Sequence, residues 1–393
     1  MVPFLREEFN SKFSTELYEK YLKDIWKWTN GEVDFRICET PLFLNNDITN
    51  KLIKASEAIV NFLQSSEFKI NCVNAIPNNL TVPNEDKNPL FLQIDFAITR
   101  DEEGNFIPKL IELQGFPSLY MFQSELDRIN RLFYTFDSKF KTYFNKYNYE
   151  SYLELFKKAV IGNHSKENVI LLEIEPHKQK TRIDFYITNK LLGIDLVCVS
   201  EIIKKGNRLF YTKDGKEIEI ERIYNRVIFD ELNKKELVLN FDFRDDLDVE
   251  WAGHPNWFFK ISKHSLPLIK NEFAPKCFYL SHLDKFPDNL NDYVLKPLYS
   301  FAGSGVTIDL SVDLLEKIHD RKNYILQEKI KYAPLIKTPD GYSMAEIRMM
   351  FLWIDKPILV NNLLRTSKGK MMGVDYNKGK TWVGSNIAYH SIN

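Results

Sequence analysis

The chain encodes a mixed α/β protein, and three stretches carry that reading. Residues 169–175 (Val-Ile-Leu-Leu-Glu-Ile-Glu) form a short continuous apolar run, as a strand buried on both faces requires. A helical pattern over 181–192 and a second apolar run over 193–199 follow, which makes a βαβ unit with parallel strands. Residues 90–98 and 108–113 flank the turn Asp101-Glu102-Glu103-Gly104-Asn105 and read as an antiparallel hairpin. Finally, Tyr293-Val294-Leu295-Lys296-Pro297 is an apolar strand that delivers one lysine into a small-residue loop, and residues 324–330 form a second strand ending Gln327-Glu328-Lys329-Ile330.

The remaining elements follow in order. Residues 11–63 are helical by period, with Phe13, Leu17, Tyr21 and Trp26 recurring on one face. Residues 77–79 and 83–89 are loops by composition, and 122–161 reads as aromatic-rich helices. After the βαβ unit, 209–211 and 214–215 make a hairpin and 218–224 another strand, so 168–240 reads as a small open α/β unit. The last unit begins near Trp257 and ends with a strand pair over 347–354 and 358–364. Three domains are expected: 1–165, helical with the hairpin; 166–250, the small α/β substrate domain; and 251–393, the nucleotide clamp.

Composition narrows the function. At 393 residues the chain has room for two or three domains. A 44% hydrophobic and 27% charged composition is that of an ordinary globular protein. Lys+Arg of 53 against Asp+Glu of 54 lacks the basic excess of a nucleic-acid binder. Cys38, Cys72, Cys198 and Cys277 show no C-x-x-C spacing and read as reduced thiols. No apolar run has the length of a membrane span, and Met1-Val2-Pro3-Phe4-Leu5-Arg6 is no signal peptide, so no membrane partner is expected and the expected location is cytoplasmic.

Several clusters carry chemistry. Lys296 supplies a point charge for phosphate, and the loop with Ser300, Gly303 and Gly305 lets backbone N–H groups approach phosphate oxygens. The spacing is not that of a Walker loop. Glu112 and Gln114 lie two apart on one strand, with Asp95 across the hairpin, and oxygen ligands so placed suit Mg²⁺. A solvated strand face accounts for the same residues equally well. Gly115-Phe116-Pro117-Ser118 then makes a tight loop where a substrate can rest. Lys263 is a second candidate for phosphate, with Lys260 as its rival. Glu346 and Arg348 share a strand face, where a carboxylate can hold ribose hydroxyls and a guanidinium can stabilise phosphoryl charge, or the two simply form a surface ion pair. Arg365 ends a strand and opens the Gly/Lys-rich segment 367–380, a lid or a flexible connection. The seven histidines have no ligand spacing and read as structural.

The order of these motifs resembles a known family. Acidic hairpin first and lysine clamp last is the circularly permuted ATP-grasp arrangement, and the motifs resemble those of eukaryotic-type glutathione synthetase and glutathionylspermidine synthetase-like ligases. Ile94-Asp95-Phe96 with Glu112-Leu113-Gln114 looks like the family's metal hairpin, Val294-Leu295-Lys296-Pro297 like its phosphate lysine, and Gln327-Glu328-Lys329-Ile330 like its adenine strand. Glu346 looks like its ribose glutamate and Leu363-Leu364-Arg365-Thr366 like its C-terminal substrate arginine. The resemblance places Arg226, Glu173 and Glu175 at a substrate site, with Ser118 and Lys368 near it. It departs at Ser300, where the family has an acidic metal ligand, at Gln114 in place of asparagine, near Gln93 in place of an arginine, and at Ser367 in place of lysine.

The resemblance implies an α+β ATP-grasp fold, circularly permuted, with an inserted parallel α/β domain. It implies an ATP- and Mg²⁺-dependent carboxylate–amine ligase, working through an acylphosphate on an amino-acid or peptide-like substrate. Lys263 and Lys296 would neutralise phosphate, while Arg348 and Arg365 would stabilise the transferred group. The rival expectations are a non-catalytic ATP sensor, motivated by Ser300 and Gln114, and a small-metabolite kinase. The related synthetases are often dimers, which makes a homodimer one expectation, but no interface motif is legible in the sequence and the oligomeric state is open.

Overall fold

The computed structural model describes residues 2–235, 237–299, 305–369, 372 and 374–392, with side chains described at all of these except 233, 374 and 375. The expected hairpin, Phe91–Arg100 with Phe106–Gln114, forms one side of a six-stranded sheet. In space the order is Gly384–Asn386, Pro357–Ser367, Gly341–Trp353, Phe91–Arg100, Phe106–Gln114, with Ile336–Thr338 paired to the start of Gly341–Trp353. Every pairing is antiparallel. Phe91–Arg100 is paired on both sides, and all of it except Arg100 is buried.

Alternation splits this sheet into two chemically different faces. Leu92, Ile94, Phe96 and Ile98 join Ile347, Met349 and Leu364 in one apolar cluster. The helix Asn46–Gln64 belongs to the same cluster through Ile48, Leu52, Ala55, Ile59 and Leu63, a stripe at helical spacing. It starts where it does because the Asn45 side chain accepts from the Ile48 N–H, satisfying one of the helix's unpaired donors. The opposite face carries Gln93, Asp95, Glu346, Arg348 and Arg365.

The βαβ expectation is met. Val169–Glu173, the helix Arg182–Leu192 and Asp195–Cys198 form it, and the sheet extends to four parallel strands with Arg222–Asn225 and Glu250–Ala252. Gly193 ends the helix at φ +73° with its N–H on the Asn189 carbonyl, a conformation for which glycine costs least. A third sheet orders Cys277–Tyr279, Tyr324–Glu328 and Tyr293–Pro297, all antiparallel. One face of it buries Leu295 and Leu326 against Leu280, Leu290, Leu310 and Leu315, which leaves Lys296 and Gln327 on the other.

Some boundaries differ from expectation. The helical stretch 11–63 resolves into Thr15–Trp26 and Asn46–Gln64, interrupted by the turn at Asn30 (φ +52°) and by Pro41. Residues 122–161 divide into Tyr120–Phe133 and Tyr149–Ile161, with left-handed residues Asn145 and Lys146 between them. The single strand expected over 218–224 is two: Lys216–Ile220 pairs in a hairpin sheet and Arg222–Asn225 in the parallel one. The late pair is longer than expected, Gly341–Trp353 and Pro357–Ser367.

Two distant segments close the fold. Leu42–Phe43 pairs in parallel with Ala388–Tyr389, with Leu42 N–H on the Ile387 carbonyl and Leu44 N–H on that of Tyr389. All four cysteines are free. No helix among the described residues is long and apolar enough to cross a membrane.

Candidate functional site

A β-bulge sets up the polar face. Along Phe106–Gln114, Leu110 pairs with Phe96 but Glu112 pairs with Asp95, so Ile111 is an extra residue. Strict alternation would turn Ile111 toward Asp95 and bury Glu112 among apolar side chains. The bulge resets the phase, so Glu112 and Gln114 lie on the face of Asp95 and Gln93 while Leu110 and Leu113 both enter the core. Register does the rest: Arg348 lies opposite Asp95, and Glu346 opposite Arg365.

Fully buried Asp95 is held by two arginines. Arg348 donates to it in a fork, Nε to Oδ1 at 2.6 Å and Nη2 to Oδ2 at 2.7 Å. Arg365 Nη2 donates to the same Oδ2 at 2.6 Å and pairs with Glu346 Oε1. Tyr332 Oη donates to Glu346 Oε2 at 2.9 Å. Arg348 Nη1 donates to Gln93 Oε1 at 3.0 Å, and Gln93 Nε2 donates to the Ser118 carbonyl at 2.7 Å. Asp95 thus sits among guanidinium donors rather than facing an open seat for an ion.

Glu112 is the neighbouring carboxylate. Gln114 Nε2 donates to it at 2.8 Å, Lys263 Nζ lies 4.0 Å from Oε2 and Arg348 Nη2 lies 3.8 Å from Oε1. Burial alone would raise its pKa, but Lys263, Arg365, Arg348 and Lys296 together outweigh burial and hold it at about 2. Burial depresses Lys296, with Glu112 opposing that effect, and its ammonium reaches toward the Ile111 carbonyl at 3.5 Å. Lys260, the rival of Lys263, is tied to Glu85 and lies 5.3 Å from the centre of the Trp257 ring. Three carboxylates (Asp95, Glu112, Glu346) thus meet four cations (Lys263, Lys296, Arg348, Arg365), an excess that favours an anion.

The nucleotide-strand residues lie beside this cluster. Gln327 pairs with Val294 and is buried, and its Oε1 has no hydrogen-bond partner among the described residues. The Glu328 N–H goes to the Lys276 carbonyl and the Lys329 N–H to that of Asp292, while Ile330 follows half-buried. Arg365 Nε is likewise buried and unpartnered among the described residues. The unmet Arg365 donor and the cation excess fit a polyanionic ligand, and the unmet Gln327 acceptor fits a hydrogen-bond donor on it. Gly305 has φ +72°, and a Cβ there would lie 2.8 Å from Pro297 Cγ, so the turn itself requires glycine. Ser300 and Gly303 lie outside the described residues. Among the described residues no group of three or more His, Cys, Asp or Glu side chains is placed to hold a metal. Glu112 and Gln114 fit Mg²⁺ as two protein ligands, because this ion takes its remaining oxygens from phosphate and water.

A second polar centre stands on the parallel sheet. Arg226 is buried with its guanidinium 4.7 Å from the centre of the Phe116 ring and 5.2 Å from that of Phe185. Its Nε and Nη1 have no hydrogen-bond partner among the described residues. Burial pushes the carboxyl of Glu173 up to about 8, with Arg226 opposing. Asp184 is buried too; its Oδ1 accepts from Met121 and Phe122 N–H at 2.9 and 2.8 Å, while its Oδ2 is unpartnered among the described residues. Phe116 belongs to the tight loop after Gln114, where Gly115 is needed because a Cβ would lie 2.4 Å from the Trp257 carbonyl. The Gln93–Ser118 bond therefore connects the two centres.

Two expected substrate residues are engaged in ion pairs of their own. Glu175 pairs with Lys178 and Lys235, which hold it at about 2, and Lys368 pairs with Asp340. The residues sequence reasoning missed are Tyr332, Asp184 and Phe185. Tyr332 follows closely on the expected adenine strand, and Asp184 is an acidic residue in the first turn of an expected helix; neither fact by itself marks a site.

No protein-family model and no curated protein matches the chain. A solved structure does: a glutathione synthetase-like effector from Globodera pallida, in its apo form, matches at 13% identity with a TM-score of 0.59 over 98% of this chain and 99% of that one. At that identity the likeness shows the fold alone, and the chain has a glutathione synthetase-like fold along its whole length.

Proposed function

We propose, from the glutathione synthetase-like fold and the charge cluster on its central sheet, that the chain is a permuted ATP-grasp protein, an ATP- and Mg²⁺-dependent carboxylate–amine ligase. One observation carries the reading: the central sheet (Arg348, Arg365), the strand Tyr293–Pro297 of a separate sheet (Lys296) and the 3₁₀ turn Lys263–Leu268 bring four cations around Glu112. Four cations gathered around one carboxylate, Glu112, suit phosphate oxygens.

Lys296 and Lys263 neutralise phosphate oxygens, Gln327 offers an unmet acceptor to the base, and Glu346, fixed by Arg365 and Tyr332, accepts from ribose. Bound ATP supplies the phosphoryl group that activates the acid, and Mg²⁺ would rest on Glu112 and Gln114. Catalysis of this kind is positioning and charge compensation, with no protein nucleophile. Arg226, with two unmet donors on a buried guanidinium, receives the carboxylate of an amino-acid or peptide-like substrate. Glu175 and Lys368 are given no role.

The test is phosphate release from ATP and Mg²⁺ against a pooled panel of amino acids and short peptides, with mass spectrometry of the products. ADP with a dehydrated adduct is expected, abolished by Lys296→Ala. A second reading, ATP binding without turnover, is favoured by the arginine hold on Asp95, which leaves Glu112 as the one hairpin carboxylate facing the lysines. It predicts ATP-dependent thermal stabilisation with no phosphate released under any acceptor.

A further inference from the structure

We infer that the chain has a second ligand site, for a small aromatic anion, in a cavity that the nucleotide cluster does not use. The cavity measures about 700 Å³. It opens where the strand Cys277–Tyr279 ends, between the 3₁₀ turn Lys263–Leu268, residues 71–78 and residues 281–283, with 298–299 and 322–323 contributing the rest of the wall.

The wall has one sign of charge. Lys270 and Lys322 stand on it, and among the described residues no carboxylate side chain does. In a chain with 53 basic and 54 acidic residues, a lining without one acidic side chain is a local excess of positive potential. The charge of Lys270 reaches inside: Lys296 and Lys270 oppose the burial that pushes the Cys277 thiol up to about 12, and Cys277 lines the cavity.

The wall is also aromatic. The rings of His264, Tyr279 and His282 form a row with centres 5.3 and 5.0 Å apart, and all three line the cavity. Tyr279 Oη donates to the His264 carbonyl at 2.7 Å, which fixes two of the rings against each other. With Leu283 and Leu298 beside it, such a row offers apolar contact to a planar group. His264 Nδ1 is buried and has no hydrogen-bond partner among the described residues. Burial pushes this imidazole down to about 4, so at neutral pH the ring is uncharged and carries one N–H and one lone pair. A polar atom of the ligand satisfies the unmet nitrogen. The turn Lys263–Leu268 separates the two sites: Lys263 Nζ lies 4.0 Å from Glu112, while its neighbour His264 lines the cavity. Neither Lys296 nor Glu112 lines it. The site therefore stands without the nucleotide reading.

The probe is 8-anilinonaphthalene-1-sulfonate, itself an aromatic anion, titrated into the full chain and followed by its fluorescence. Saturable binding at a single site is expected. Displacement by 2-naphthoate is expected at a concentration about tenfold lower than by neutral 2-naphthamide, the factor a charge-assisted contact supplies. Lys270→Glu/Lys322→Glu reverses two exposed charges and is expected to weaken the probe about tenfold or more. His264→Phe keeps a ring, removes the unmet nitrogen and is expected to weaken 2-naphthoate about threefold. Lys296→Ala, in the nucleotide cluster, is expected to leave the probe's affinity unchanged. Thermal melting followed by circular dichroism checks that each variant is folded; if His264→Phe is not, the lysine pair decides. The inference is overturned by absence of saturable binding, by equal displacement with the acid and the amide, or by unchanged affinity in the lysine pair. A larger loss in Lys296→Ala than in the lysine pair would place the probe at the nucleotide cluster and overturn it as well.

Discussion

Glu173 shows how one buried side chain can make stability follow pH. Its carboxyl titrates at about 8 in the fold, because burial outweighs the attraction of Arg226, against an ordinary value of 4.5. Below pH 4.5 both folded and unfolded chains hold the proton, and the residue is neutral in the balance. Between 4.5 and 8 the unfolded chain releases the proton and the folded chain keeps it, so stability falls as pH rises through that window. Glu173→Gln is therefore expected to gain on the wild type from pH 5 to pH 8, by at least about 1 kcal/mol, since a tenfold difference in proton affinity between the folded and unfolded chains is worth about 1.4 kcal/mol. Urea unfolding at the two pH values checks this, and a difference that does not change with pH would refute it. Glu112 has the opposite sign: held at about 2, it stabilises the fold at neutral pH and stops doing so as pH falls from 4.5 toward 2.

At the level of elements, the Ile111 bulge decides which side of the sheet carries chemistry. Deleting Ile111 removes the extra residue and leaves Leu110, Glu112, Leu113 and Gln114 in plain alternation opposite Phe96, Asp95, Ile94 and Gln93, so Glu112 keeps the polar face without a bulge. The deletion is expected to keep Mg²⁺-dependent nucleotide binding, measured by calorimetry; loss of binding in a variant that still unfolds cooperatively in urea would show that the bulge itself, and not the face alone, positions Glu112. The bulge had a trace in the sequence, since Leu110 and Leu113 are apolar three apart where a regular strand repeats every two. Other features were plainer. The parallel strands were legible because strands covered on both faces need unbroken apolar runs, and Lys296 stood out at the end of such a run. The partnership of Arg348 with Asp95 was not legible, because it depends on register between strands 253 residues apart. Lys260 and Lys263 could not be separated by pattern either. What separates them is a loop carboxylate, Glu85, that captures the first. Helix ends were misjudged where left-handed Asn30, Asn145 and Lys146 interrupt an otherwise suitable period.

Across the whole molecule, the last described residues are part of the first core. Tyr389 is fully buried, donates to Asp127 Oδ1 at 2.8 Å, and packs against Phe43 and Phe136 at ring separations of 6.0 and 4.6 Å. Tyr389→Ala is expected to cost about 3–5 kcal/mol, as other large aromatic truncations do. Denaturant unfolding followed by two probes, tryptophan emission and far-UV circular dichroism, measures that loss. A change below about 1 kcal/mol would show that the closure between residues 42–44 and 387–389 is peripheral. The same closure has a consequence for how the chain is born. Asp95 leaves the ribosome long before its partner Arg348, which lies 253 residues later. At about 5–20 residues per second, the gap is roughly ten to fifty seconds. Throughout that wait the nascent hairpin has two unpaired edges, an apolar side and an acidic side whose arginine partners do not yet exist. Helix Asn46–Gln64, already synthesised, can shield the apolar side, while the edge of Phe91–Arg100 that pairs with Gly341–Trp353 stays open until translation reaches that strand.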